Sequence, residues 1–68
     1  SERESAWREM ARQVAHEIKN PLTPMKLNIQ YLQQTWNTHE NDLPDFIDKI
    51  TATLLEQIET LTVIANEF

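Results

Sequence analysis

The 68-residue chain contains no cysteine and no glycine, has only three prolines, and has no long apolar run. Without cysteine, disulfide bonds and thiolate metal sites are excluded. A bilayer-spanning helix needs about 20 apolar residues, and no secretory signal is visible, so we expect a cytoplasmic segment without direct membrane contact. A chain this short buries only about 60% of its unfolded surface. Association with a second chain is then the usual remaining source of stability.

Charge is distributed unevenly, although the chain as a whole is acidic, with a net charge of −5. Residues 3–36 hold five of the six basic residues and three acidic ones, whereas residues 37–68 hold seven acidic residues and one lysine. An acidic chain with a modest basic face does not favour nucleic-acid binding. Most of the charged side chains are expected simply to solvate the outside of helices.

Apolar residues recur every three or four positions, which predicts two helices. Most of the chain consists of residues with high helix propensity, and no alternating apolar and polar pattern indicates a strand. At about 100° per residue the apolar positions fall on one stripe of each helix. The first stripe, over a helix of about 3–36, comprises Trp7, Ala11, Val14, Ile18, Leu22, Met25, Ile29, Leu32 and Trp36. The second, over about 43–68, comprises Leu43, Ile47, Ile50, Leu54, Ile58, Leu61, Ala65 and Phe68.

Two prolines lie inside the first predicted helix. Pro21 and Pro24 each remove a backbone donor and crowd the carbonyl four residues earlier. One interpretation is a break, with Asn20 as the N-cap of a new helix that Pro21 opens. The other is a continuous helix that is kinked near Asn20. The apolar phase continues through both prolines, which favours the kink.

Residues 37–42 lose the apolar pattern and are predicted to form the turn between the helices. Asp42 is a suitable N-cap for the second helix, with Pro44 and Asp45 in its first turn. The predicted fold is therefore an all-α antiparallel two-helix hairpin. A lone hairpin leaves much of both stripes in water, so we expect two hairpins to pair as a four-helix bundle. Gln57 falls near the edge of the core and needs a hydrogen-bond partner there.

His16 is predicted to point away from the core, about 160° round the helix from the apolar stripe. An outward histidine is by default an ordinary solvated residue. Its surroundings add a second possibility, because an exposed imidazole bordered by cations on a rigid helix suits phosphate chemistry. The exposed line around it comprises Arg12, Asn20, Thr23 and Leu27, and the basic edge comprises Arg8, Lys19 and Lys26.

The string from His16 to Asn20 also invites comparison with zinc proteases. Their motif places a second histidine four residues after the first, so that both imidazoles meet one metal. Here that position is Asn20, a poor zinc ligand, and His39 lies in the predicted turn. We expect neither a metal site nor zinc-dependent hydrolysis.

The stretch AWREMARQVAHEIKNPLTPMKLNIQYLQ closely resembles the histidine-containing box of bacterial sensor histidine kinases, in their dimerisation and histidine-phosphotransfer (HisKA-type) domain. The form His-Glu-Ile-Lys-Asn-Pro-Leu-Thr-Pro is most similar to the nitrogen-regulation sensor branch. The resemblance covers about residues 6–33, whereas the second helix matches only in length and amphipathic pattern. It implies a hairpin that homodimerises as a four-helix bundle, in agreement with the expectation from the apolar stripes.

The resemblance also implies roles for individual residues. His16 is similar to the nucleophile that takes the γ-phosphoryl group of ATP and becomes phosphorylated. Glu17 matches the acidic residue that acts as a general base, and its alternative is an ordinary surface glutamate. Asn20 matches the polar residue that positions water for dephosphorylation of a partner, and a helix cap before Pro21 is its alternative. Pro21 resembles the proline whose kink lets the helix bend during signalling.

Partners and cofactors follow from the same resemblance. The phosphoryl group would pass to an aspartate of a response-regulator receiver domain, with possible phosphatase activity toward that regulator. ATP and Mg²⁺ would belong to an ATP-binding catalytic domain that is absent from this chain, so no cofactor is expected here. The intact protein could be anchored in the bacterial inner membrane. Candidate contacts for the regulator or the catalytic domain are Arg12, Lys19, Thr23 and Leu27.

Two other classes of protein compete with this interpretation. A non-catalytic helical dimerisation or signal-transmitting module would need only the apolar stripes. Such a module does not need the exposed set of His16, Glu17 and Asn20. A monomeric phosphotransfer protein with its own four-helix bundle needs about twice this chain length.

Overall fold

The computed structural model describes residues 1–38 and 43–67. Helix α1 runs from Glu2 to Thr38 and helix α2 from Leu43 to Glu67, and the two pack against each other. Among the described residues there is no strand, and only Ser1 lies outside a helix. The predicted all-α hairpin is confirmed.

Both ends of α1 extend slightly beyond the predicted range of 3–36. At the start, the Ser1 hydroxyl accepts a hydrogen bond from the Glu4 backbone N–H at 3.3 Å, as an N-cap does. At the end, the Thr38 hydroxyl lies 3.0 Å from the carbonyl oxygen of Gln34, a carbonyl in the last turn of the helix. Asn37 and Thr38 are therefore helical. The rest of the predicted turn, with Asp42 as N-cap, lies outside the described residues.

Helix α1 is continuous through both prolines. The alternative in which Asn20 caps a new helix is therefore wrong. Pro21 and Pro24 have no N–H to donate to the carbonyls of Glu17 and Asn20. In the same turn the Thr23 hydroxyl donates to the Lys19 carbonyl at 3.1 Å, an arrangement that often bends helices.

One edge of each apolar stripe packs inside the hairpin together with neighbouring residues outside the stripe, and we call this set the packed face. Two of its members are buried, Pro21 and Ile50, and the rest are half-buried. On α1 the packed face comprises Val14, Glu17, Pro21, Pro24, Met25, Asn28, Leu32 and Thr35. On α2 it comprises Phe46, Ile50, Thr53, Leu54, Gln57, Leu61 and Ile64. Gln57 thus lies at the helix contact, near the core edge where the sequence places it.

Other apolar residues of the stripes are exposed, and we call six of them the open edge. They comprise Ile18, Leu22, Ile29 and Trp36 on α1, and Ile47 and Ile58 on α2. On each helix the open edge lies about 85° round the helix axis from the packed face. The direction of this rotation is the same for both helices when each is viewed from its own N-terminus. Because the helices run in opposite directions, the two edges lie on the same side of the hairpin.

The hairpin is poorly packed as an isolated unit. In the described part of the chain, Ile50 and Pro21 are the only buried residues. The accessible surface is 5829 Å², whereas a compact monomer of 8.0 kDa would have roughly 4450 Å². The radius of gyration is 16.9 Å, against about 11 Å for a compact domain of this length. The apolar stripes therefore have more surface than one hairpin can bury.

Candidate functional site

His16 lies in the middle of α1, on the side turned away from α2. It is exposed, as the sequence predicts. By helix geometry it lies about 130° from the packed face and about 145° from the open edge. A partner that covers the open edge would leave this imidazole accessible.

The residues predicted to surround His16 share its side of the helix, and we call this set the histidine face. All of its members are exposed, which agrees with the sequence analysis. They comprise Arg12, His16, Lys19, Asn20, Thr23 and Leu27. Since α1 is unbroken across the set, the helical backbone fixes their order and spacing.

Glu17 is not on the histidine face. It belongs to the packed face, about 100° round α1 from His16, and it is half-buried. Every other acidic residue that the structure describes is exposed. Glu17 is therefore less exposed than an ordinary surface glutamate, and its role as a general base stays a prediction. By helix geometry Glu17 lies at the edge of the packed face that is nearer to His16.

Arg12 is held by an ion pair with Glu9, three residues earlier. Its Nε donates to one Glu9 carboxylate oxygen at 3.2 Å and its Nη2 to the other at 2.5 Å. The hydrogen bond from Arg12 is the main cause that lowers the pKa of Glu9, and the positive charge of Arg12 lowers it further. The same contacts raise the pKa of Arg12. Arg12 thus remains a cation one turn before His16.

A shallow hollow of about 450 Å³ opens beside the imidazole. Its wall combines the ion pair, His16 and a second cation, Lys19. Ala15 has no side chain beyond Cβ and leaves the space open. The lining residues are Glu9, Arg12, Gln13, Ala15, His16 and Lys19. Two cations and an imidazole around one hollow make a suitable site for a phosphoryl group.

Sequence reasoning missed Glu9 as a neighbour of the site. The signal was present, because residues three apart on a helix face each other and opposite charges at that spacing pair. The sequence analysis names Arg12 beside His16 but does not pair it with Glu9. The bond between these two side chains decides where the Arg12 guanidinium lies.

No group of three or more histidine, cysteine, aspartate or glutamate side chains within the described residues is placed to hold a metal ion. Neither described helix is long and apolar enough to cross a membrane.

The fold and the site together define a helical hairpin that presents a histidine, flanked by cations, on an unbroken helix. That combination is typical of a phosphoacceptor domain. Comparison with known families agrees: residues 6–68 match the His Kinase A (phospho-acceptor) domain, and the chain belongs to this family.

Relatives place the chain within the nitrogen-regulation branch of sensor kinases. Over all 68 residues it is 37% identical to the nitrogen regulation protein NtrY of Azorhizobium caulinodans, and covers 9% of that protein. It is 32% identical to the putative sensor histidine kinase NtrY-like of Rickettsia prowazekii, covering 11% of it. The chain thus spans about a tenth of the length of these curated relatives. No solved structure matches it.

Proposed function

We propose that this chain is the phosphoacceptor and dimerisation domain of a two-component sensor histidine kinase, with His16 as the phosphorylated residue. A ring nitrogen of His16 attacks the γ-phosphorus of ATP, the bond to the bridging oxygen breaks, and ADP leaves. The other ring nitrogen loses its proton to a base. The observation that carries the proposal is the exposure of His16 on an unbroken helix, inside a family-specific sequence stretch.

Glu17 and Asn20 have separate roles in this proposal. Glu17 is the general base that orients the imidazole and accepts its proton. Asn20 holds the water that attacks the phosphorylated aspartate of the regulator. The support is their place on α1: Glu17 is the half-buried carboxylate next to His16, and Asn20 is exposed one turn after it.

The remaining residues of the histidine face serve partners. Arg12, Lys19, Thr23 and Leu27 contact the receiver domain or the catalytic domain, since they surround His16 and are exposed. Pro21 lies at the helix contact and provides the bend through which a signal changes the position of His16. ATP and Mg²⁺ bind to a separate catalytic domain of the kinase.

The test of the phosphoacceptor role is labelling from ATP. Incubated with a matching catalytic domain and γ-labelled ATP, the chain is expected to gain label that acid removes and base does not, as phosphohistidine does. Acid-stable label would place the phosphoryl group on another residue type. A lack of label with an active catalytic domain would favour the non-catalytic dimerisation module instead.

We also propose that the chain is a homodimer in which the open edges of two hairpins meet as a four-helix bundle. Contiguous exposed apolar surface marks interaction sites. The open edge supports this arrangement because it runs along both helices on one side of the hairpin, away from the histidine face. The dimer would therefore bury the open edge and leave His16 accessible.

Leu22 and Leu27 provide a matched pair of variants for the dimer. They are 45% and 51% exposed and lie on the open edge and the histidine face, respectively. Sedimentation velocity at micromolar concentration is expected to give twice the monomer mass for the wild-type chain and for Leu27→Glu. Leu22→Glu is expected to sediment as a monomer, because it places a charge in the interface. A dimer of Leu22→Glu as stable as the wild type would contradict the proposed interface.

A further inference from the structure

The ion pair of Glu9 and Arg12 has no part in the reaction proposed above, although it lines the same hollow as His16. It is the one ion pair between two side chains within residues 1–38 and 43–67. The Glu9 side chain is 61% exposed and the Arg12 side chain is 76% exposed. Exposed pairs of this kind are weak because water screens them and both side chains lose freedom. A stronger anion close by can therefore displace Glu9.

Phosphorylation of His16 would place such an anion four residues after Arg12. Residues three or four apart on a helix have Cβ atoms about 5–6 Å from each other. Arg12 is one turn before the imidazole, and Lys19 is three residues after it. Both cations line the hollow, and Ala15 leaves room between them. A phosphoryl group on the ring would thus lie within reach of the Arg12 guanidinium.

We propose that Arg12 is a phosphate-binding residue, which exchanges Glu9 for the phosphoryl group once His16 is phosphorylated. Glu9 then competes with the phosphoryl group for Arg12. This inference rests on the proposed role of His16 as the phosphoacceptor. Arg12 is then a positioning residue that holds the phosphoryl group. Glu9 weakens that hold, so that the group can still leave for the next acceptor.

The direction of the exchange follows from charge and geometry. A protein phosphoryl group carries up to about two negative charges near neutral pH and offers three strong acceptor oxygens. The Glu9 carboxylate carries one charge and two oxygens. The planar guanidinium of Arg12 binds either anion through two parallel hydrogen bonds. Lys19 adds a second positive charge on the phosphoryl side, which favours the exchange.

The experiment is a pH titration of the phosphorylated chain by ³¹P nuclear magnetic resonance. Phosphoramidate transfers its phosphoryl group to a ring nitrogen of His16 and releases ammonia, and His39→Gln in all samples leaves one phosphohistidine. In this background Arg12→Gln is expected to raise the pKa of the phosphoryl group by about 0.5, as loss of a cation at contact distance does. Arg8→Gln is the matched control. It removes the same charge about 12 Å along the helix, beyond the screening length at 0.1 M salt, and should shift the pKa much less.

Glu9→Gln tests the competition. It is expected to lower the phosphoryl pKa, because it frees Arg12 to bind. Removing the Glu9 charge could also act directly on the phosphoryl group, and the double variant Glu9→Gln with Arg12→Gln separates the two effects. If Glu9 acts through Arg12, the double variant titrates like Arg12→Gln alone. The proposal would be overturned if Glu9→Gln changed the phosphoryl pKa equally with and without Arg12. It would also be overturned if Arg12→Gln shifted this pKa no more than Arg8→Gln does.

Chemical phosphorylation keeps this test separate from the proposed function. The small donor modifies His16 without ATP or a catalytic domain, so the titration reports on Arg12 whether or not a kinase uses His16. Labelling from ATP reports on the kinase function whether or not Arg12 binds the phosphoryl group. The two results can therefore fail independently.

Discussion

His16→Gln is expected to abolish phosphorylation of the chain by a separately supplied catalytic domain. Glutamine has no ring nitrogen that can attack phosphorus, so no phosphoramidate can form at this position. The loss of label should be complete rather than partial, because the variant removes the acceptor atom itself. The measurement is acid-labile, base-stable label per chain after incubation with γ-labelled ATP.

The other histidine provides the control for this result. His39→Gln removes the same side chain but leaves His16 in place, and it should be labelled as the wild type is. His16 is exposed on the outside of α1, so its replacement should change the free energy of unfolding by less than about 1 kcal/mol. Label that persists in His16→Gln would show that the phosphoacceptor is a different residue.

The hairpin and the exposure of His16 could be predicted because both follow from local periodicity. Apolar residues every three or four positions define a helix and the direction of its core. A four-residue spacing from His16 to Asn20 or to Arg12 then places these side chains on one outward side. The unbroken apolar phase also favoured a continuous helix through Pro21, which is what α1 shows.

The division of each stripe into two edges could not be predicted from one helix at a time. Val14 and Ile18 belong to one apolar stripe in the sequence, yet Val14 is half-buried against α2 and Ile18 lies on the open edge. The rotation of α1 against α2 decides which side of the stripe packs within the hairpin. The same rotation brings Glu17 to the helix contact. A ranking of positions by hydrophobicity would never place a glutamate there.

Glu17 and Asn20 are expected to act in two different reactions. Glu17→Gln is expected to slow phosphorylation of His16 from ATP by about 10²–10⁴-fold, the usual range for general-base catalysis. A carboxamide keeps the shape of the side chain but accepts no proton at neutral pH. Because Glu17 is half-buried in the packed face, glutamine is a better test than alanine, which would also remove packing. The measurement is the initial rate of labelling with saturating catalytic domain.

Asn20→Ala should have the opposite profile in the intact kinase: it should retain autophosphorylation and lose most phosphatase activity toward the phosphorylated receiver. The carboxamide of Asn20 has no proton-accepting group for attack on ATP, but it can hold a water in line with the aspartyl phosphate. Since α1 is continuous, Asn20 is an exposed interior residue of the helix and not a cap. Alanine has the higher helix propensity, so thermal unfolding should show a variant at least as stable as the wild type.

Measured together, the two variants separate the two reactions. Glu17→Gln should reduce the forward rate while a receiver that has already been phosphorylated is still dephosphorylated, whereas Asn20→Ala should do the reverse. The geometry favours this separation, because Glu17 is half-buried on the packed face and Asn20 is exposed on the histidine face. Loss of both activities in a folded Asn20→Ala dimer would contradict it, since one carboxamide would then serve both steps. Unfolding of that variant would equally contradict it, because Asn20 would then be a structural residue beside Pro21.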